Sequence, residues 1–154
     1  MAEKDQQIKD ICLRLLARRE HSEKELLDKL ALRGFGRYDS ERIVHELAER
    51  GWQSDSRFVE SYVRQRIQKG YGPLRISYEL QRHGIEFSNQ KELVAELSES
   101  WSEMLEKVYI SKYGESKHLE AKEWQKRSRF LIQRGFTNEM VRQLFVQLGI
   151  RLER

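Results

Sequence analysis

The sequence predicts an all-α protein of three tandem three-helix, helix-turn-helix-like repeats in an elongated, curved array. Three observations carry that prediction. Apolar residues recur at helical spacing through most of the 154 residues, and no strand-like alternation of useful length interrupts them. One motif, Leu-x-x-(Arg/His)-Gly-apolar, returns as Leu30–Phe35, Leu80–Ile85 and Leu131–Phe136. Its glycines Gly34, Gly84 and Gly135 stand 50 and 51 residues apart, a period typical of repeat arrays. A glycine there ends a helix in the left-handed conformation, and the next apolar residue packs back on the helix end. These three glycines are therefore structural. The repeats are expected at 1–52, 53–100 and 101–154.

In the first repeat, Ile8, Ile11, Cys12, Leu15 and Leu16 fall at i, i+3, i+4, i+7 and i+8, one face of a helix. Ser22 and Glu25 have capping-box spacing and open a second helix through Leu26, Leu27 and Leu30. A third runs from about Asp39 through Ile43, Val44 and Leu47 to Gly51. In the second repeat, Ser54 or Asp55 caps a helix carrying Phe58, Val59, Tyr62, Val63 and Ile67, which ends at Gly70. Pro73, the only proline, opens the next at the first helical position, where its missing N–H costs nothing. A further helix from about Ser88 carries Leu93, Val94 and Leu97. In the third repeat, Ser102 caps a helix through Met104, Leu105 and Val108 to about Tyr113. A second spans roughly Leu119 to Arg134. Thr137 opens the last, with Val141, Leu144, Phe145 and Leu148 as its stripe and Gly149 as its stop.

The charged fraction of 35% exceeds the roughly 25% of an average globular protein. That suits amphipathic helices exposing polar faces, while 10% aromatic residues exclude outright disorder. Cys12 is the only cysteine, so no intramolecular disulfide forms, and its apolar neighbours mark it as a buried thiol. The N-terminal MAEKDQQIKD has no signal core and no run reaches membrane-spanning length. The expectation is a soluble, cytoplasmic protein without a membrane partner.

The net charge of +4 and pI near 9.2 fit an anionic partner such as nucleic acid. The charge is unevenly placed. The first 52 residues hold 11 bases and 11 acids, Arg57 to Gly84 six and two, and Trp101 to the end 11 and seven. On the helix after Pro73, Arg75, Glu79 and Arg82 lie at i, i+4 and i+7. Leu74 and Tyr78 flank this stripe on one side and Ile76 and Leu80 on the other, as in a helix wedged between neighbours. The bland alternative is a solvated face with an Arg75–Glu79 pair worth a few tenths of a kcal/mol. Arg64 shares the polar side of its helix with Arg57. Arg66 projects among Phe58, Tyr62 and Val63, where an unpaired charge is costly; it is expected to be structural, paired to a carboxylate or to helix-end carbonyls. Lys122, Lys126, Arg129 and Gln133 form an uninterrupted polar ridge at i, i+4, i+7 and i+11. The expected contact residues are Arg64, Arg75, Arg82, Lys122, Lys126 and Arg129.

Tyr62-Val-Arg-Gln-Arg66, Gly70-Tyr-Gly-Pro-Leu-Arg75-Ile76, Glu79-Leu80 and Gly84-Ile85 together resemble the central signature of the RecX regulatory proteins. The pattern Leu-x-x-Arg-x-His-Ser-x-x-Glu-Leu ending at Leu26 and the segment Arg129-Phe-Leu-x-x-Arg-Gly135-Phe136 resemble that family too. The resemblance covers nearly the whole chain. It implies a small bacterial modulator of the RecA recombinase, without catalysis or cofactor. Such a protein binds the RecA–DNA filament in its groove and suppresses filament growth, ATP hydrolysis, strand exchange and coprotease activity. Weak, salt-sensitive contact with single- or double-stranded DNA is expected as well, by a monomer. Residues alone leave two other readings open: a helix-turn-helix regulator that binds DNA directly, and a helical adaptor without nucleic-acid contact.

Enzymatic readings find little support. His21, His45, His83 and His118 have no partners at metal-ligand spacing, and one cysteine cannot build a zinc site. Gly34-Phe-Gly36 and Gly70-Tyr-Gly72 lack the third glycine and the preceding strand of a phosphate loop. No catalytic or metal-binding residue is assigned.

Overall fold

The computed structural model describes residues 2–86, 92, 94–96 and 100–153. The fold is all-α, with helices α1 (Ala2–Arg18), α2 (Glu23–Leu32), α3 (Arg37–Glu49), α4 (Asp55–Gln68) and α5 (Pro73–Arg82). After these come α6 (Trp101–Tyr113), α7 (Ala121–Gln133) and α8 (Asn138–Leu148). Of the helix expected from Ser88, the residues Ser88, Leu93 and Leu97 lie outside the described residues; Val94 is helical and buried. No helix among the described residues is long and apolar enough to cross a membrane.

Local chemistry sets most helix ends. Ser22 Oγ accepts from the Glu25 N–H at 3.1 Å while Glu25 Oε1 accepts from the Ser22 N–H at 3.1 Å, a complete capping box. Ser54 caps α4, its Oγ accepting from the Arg57 N–H at 3.2 Å. Asp55 is used elsewhere, accepting from the Glu23 N–H and from Gln53 Nε2, each at 2.9 Å. Thr137 caps α8 through the Met140 N–H at 3.0 Å. At the C-terminal ends, Phe35 N–H donates to the Leu30 carbonyl, Ile85 to Leu80 and Phe136 to Leu131, at 3.1 to 3.2 Å. Each glycine before them donates to the carbonyl three residues back. These are Schellman closures, and the motif needs glycine because φ there is positive.

Three boundaries differ from expectation. The cap of α6 is Ser100, not Ser102: Ser100 Oγ accepts from the Glu103 N–H at 3.2 Å, whereas Ser102 lies inside the helix. Helix α3 begins at Arg37, ahead of Asp39, with Gly36 as its N-cap. Helix α7 begins at Ala121 rather than Leu119, because His118–Leu119 pairs in parallel with Arg151–Leu152. The chain after Gly149 returns there, with Arg151 N–H on the Lys117 carbonyl at 2.7 Å and Glu153 N–H on that of Leu119 at 2.6 Å. A two-residue strand carries no alternation, so nothing in the residue spacing marks this one.

The chain forms two compact units, Met1–Tyr62 with Leu80–Gln90, and Val63–Glu79 with Lys91–Arg154. The first is centred on Ile8, Cys12, Leu26, Leu30, Val44 and Leu47, contributed by α1, α2 and α3. Burial pushes the Cys12 thiol up to about 11, so it sits in this core as an uncharged, apolar group. The second unit packs Leu105, Tyr109, Leu119, Leu131, Phe136, Leu144, Phe145 and Ile150. Trp124 and Tyr109 both meet the Phe145 ring edge-on, at 4.7 and 5.6 Å between centroids.

Candidate functional site

The segment Gly70-Tyr-Gly-Pro joins α4 to α5 in the second unit, and close approach explains its glycine. A Cβ on Gly72 would lie 2.7 Å from the Gly135 carbonyl group. With no Cβ there, the start of α5 meets the end of α7 backbone to backbone. Gly72 N–H donates to the Arg134 carbonyl at 2.7 Å, and Leu74 N–H to that of Gly135 at 3.0 Å. Donors left over at one helix start are thus satisfied by carbonyls at another helix end.

Side chains repeat the exchange in both directions. Arg134 Nη1 donates to the Lys69 carbonyl at 3.0 Å, and Arg75 Nη1 to the Gln133 carbonyl at 3.3 Å. Tyr71 lies among them. The guanidinium carbons of Arg66, Arg75 and Arg134 stand 3.9, 4.4 and 4.8 Å from its ring centroid. Such stacking contributes about 0.5–2 kcal/mol per pair. Arg66 also makes a bidentate pair with Glu79, at 2.9 and 2.8 Å, both side chains less than a fifth exposed. The partner of Arg66 is thus a carboxylate from α5.

That pairing bears on the alternative raised for α5, and burial corrects one expectation. Glu79 engages Arg66 rather than Arg75, so no Arg75–Glu79 pair forms on the outer stripe. Nor are both apolar edges covered: Ile76 and Leu80 are fully buried, but Leu74 and Tyr78 are 58% and 59% exposed. The residue types match on the two edges, and only packing distinguishes them.

On α7 the inner and outer faces carry different arginine chemistry. Arg127 points inward, donating to Glu123 Oε1 at 3.0 Å and to the Tyr109 hydroxyl at 2.9 Å, with its guanidinium 4.5 Å from the Tyr113 ring centre. Burial works against its charge, but the bonds to Tyr109 and Glu123 outweigh it and raise its pKa. Outward, Lys122, Lys126, Arg129 and Gln133 are exposed, and none of the three bases has a carboxylate partner among the described residues. Lys112 adds a charge beside them, 3.8 Å above the Phe130 ring. Arg64 and Arg82 are also exposed, Arg64 in the second unit and Arg82 in the first. Sequence reasoning missed Tyr71, Lys112 and Arg134. Arg134 stands beside a motif glycine, the one signal that could have marked it.

In the first unit the corresponding groups are engaged internally. Arg57 pairs with Glu20 at 3.0 Å and donates to the Gly51 and Trp52 carbonyls. Arg19 grips Glu25 through two bonds, at 3.2 and 2.7 Å. Burial pushes the Glu25 carboxyl up, but Arg19 and the Ser22 N–H hold it below its ordinary value. His21 is buried, with Nδ1 3.1 Å from the Arg19 carbonyl and Nε2 3.0 Å from Lys29 Nζ. Nδ1 therefore carries the proton, and Nε2 accepts from the ammonium.

Family profiles match in chain order: RecX, first three-helix domain, over residues 9–47; second, over 54–91; third, over 99–145. A protein named Regulatory protein RecX from Legionella pneumophila (strain Corby) is 37% identical over 139 residues, 90% of this chain and 93% of its own length. One of the same name from Acidithiobacillus ferrooxidans is 39% identical over 144 residues, 94% and 90% of the two chains. The crystal structure of RecX from Lactobacillus salivarius shares the fold at a TM-score of 0.79, covering 98% of this chain and all of that one at 20% identity. With three successive three-helix domains matched, and relatives aligned over nearly their full length, the chain belongs to the RecX family of regulatory proteins.

Proposed function

We propose that the protein is a non-enzymatic negative regulator of the RecA recombinase. It binds the RecA–DNA filament in its groove as a cytoplasmic monomer, without a cofactor. There it opposes filament extension, ATP hydrolysis, strand exchange and coprotease activity. The three repeats are taken as 1–52, 53–100 and 101–154. Family membership supports the regulatory role, and the sequence resemblance supports RecA as its target. The observation that carries the reading is the α7 ridge, where Lys122, Lys126 and Arg129 stand exposed without carboxylate partners among the described residues. Bases in that state can exchange counterions for phosphates, giving weak, salt-sensitive DNA contact in addition to protein contact. Arg64, Arg75 and Arg82 are the further contact residues proposed.

The test is ATP hydrolysis by RecA on single-stranded DNA with the protein added below RecA's own concentration. The rate is expected to fall, and to fall further at low salt. An unchanged rate over a wide concentration range contradicts the proposal. Tight binding to one duplex sequence without RecA would point instead to a direct DNA regulator.

A further inference from the structure

We propose that Arg75 and Arg134, set against the Tyr71 ring, form an oxyanion site that takes one phosphate group and ties the start of α5 to the end of α7. Three arginine heads converge on this ring; Glu79 engages Arg66 with both its oxygens, and no carboxylate among the described residues pairs with Arg75 or Arg134. Arg75 and Arg134 hold carbonyl oxygens instead, through one nitrogen each. A carbonyl positions a guanidinium without cancelling its charge. Two positive charges are therefore held against one ring, 4.4 and 4.8 Å from its centre, with most of their five donors apiece still available.

The heads are also set in advance. Each is anchored at one nitrogen and backed by an aromatic face, on backbone segments locked together at Gly72 and Gly135. A ligand arriving there has little side-chain freedom left to remove. A planar carboxylate fills a single guanidinium fork, whereas a tetrahedral phosphate presents oxygens to two. The start of α5 does not supply the site, because the Gly72 and Leu74 N–H groups are already bonded. The phosphate can come from a nucleic-acid backbone, which would deepen the proposed filament reading, or from free phosphate. The site itself rests on the geometry of these residues.

The test is NMR of the arginine Nε–Hε groups in the full chain. Inorganic phosphate is titrated at constant ionic strength, with chloride and acetate as controls and an oligothymidylate in parallel. Saturable shifts are expected at Arg75 and Arg134 with phosphate and with neither control. Affinity should drop about tenfold or more in Arg134→Gln and stay unchanged in Arg129→Gln. Arg75→Lys, which keeps the charge but loses the fork, serves if Arg134→Gln fails to fold, and should weaken binding likewise. Competition between phosphate and oligothymidylate at these signals supports the site with a strand phosphate as its source. Saturation by phosphate alone, without competition, supports it with free phosphate. Shifts that chloride reproduces, or that centre on Lys122–Arg129, overturn it. An Arg134→Gln protein that loses phosphate but still slows RecA leaves the proposed function standing. A wild-type protein that binds phosphate but leaves RecA unaffected refutes only that function.

Discussion

In the first compact unit, Arg42 reaches Asp5 at 2.6 Å and Asp39 at 3.3 Å, Lys24 pairs with Asp28 at 2.9 Å, and Arg37 with Glu41 at 2.6 Å. In the second, Arg75 and Arg134 rest on carbonyls and a tyrosine ring, while Lys122, Lys126 and Arg129 have no carboxylate at all among the described residues. The comparison teaches that a count of bases says little until the partner of each is known. Exposed ion pairs stabilise only slightly, so the pairing in the first unit serves mainly to cancel its field. Carbonyls and rings give comparable positioning and leave the field intact. The α7 ridge of the second unit thus keeps three exposed bases without a carboxylate partner among the described residues.

The largest effect that sharpens this contrast is on stability, in the two motif glycines Gly34 and Gly135. A Cβ on Gly34 meets nothing within 4 Å, so Gly34→Ala suffers only the left-handed backbone, about 1–2 kcal/mol. A Cβ on Gly135 would lie 2.5 Å from Arg75 Cβ and 2.7 Å from its backbone nitrogen. Overpacking adds roughly 1–3 kcal/mol there. Urea unfolding of the two variants should separate them by that margin, and equal losses would show that the α5–α7 junction is not rigid.

A smaller effect breaks the comparison from the other side, because pH acts on the first unit through His21. Burial lowers its pKa, the Arg19 carbonyl opposes that, and the Arg19 and Lys29 charges reinforce it. The folded state therefore holds His21 neutral. Its contribution is complete above the unfolded pKa of about 6.5 and is lost as pH falls through the lower folded value. The urea midpoint of the wild type should fall between pH 8 and pH 5, and less so in His21→Gln. Identical pH profiles would remove His21 from the account.

Much of the fold was legible because its signals are local. Ser22 with Glu25, the glycine stops and Pro73 each act within one helix turn, and they place helix ends correctly. Ser100 was overlooked because Ser102 offers the same side chain two residues on. Leu119 was read as helical because a two-residue strand shows itself only through Leu152. The candidate site was legible in part. The α7 ridge follows from spacing on one helix, and the need of Arg66 for a partner followed from its apolar neighbours. Tyr71 with Arg134 could not be read, because the contact joins residues more than sixty positions apart. The exposed Leu74 and Tyr78 were misplaced for a related reason: spacing finds both edges of α5 but not which one is covered.

The central claim is that the exposed bases of the α7 ridge, and not bases in general, carry most of the binding to the filament. Two triple charge reversals test it directly: Lys122, Lys126 and Arg129 to Glu on α7, and Lys24, Arg37 and Arg50 to Glu in the first unit, with unfolding midpoints measured alongside. Binding to RecA on single-stranded DNA is followed by anisotropy across a salt series. The account predicts at least a tenfold loss for the α7 variant, its salt slope reduced by about two, and near wild-type binding for the other. Equal losses from the two variants, or none from the α7 variant, would contradict it.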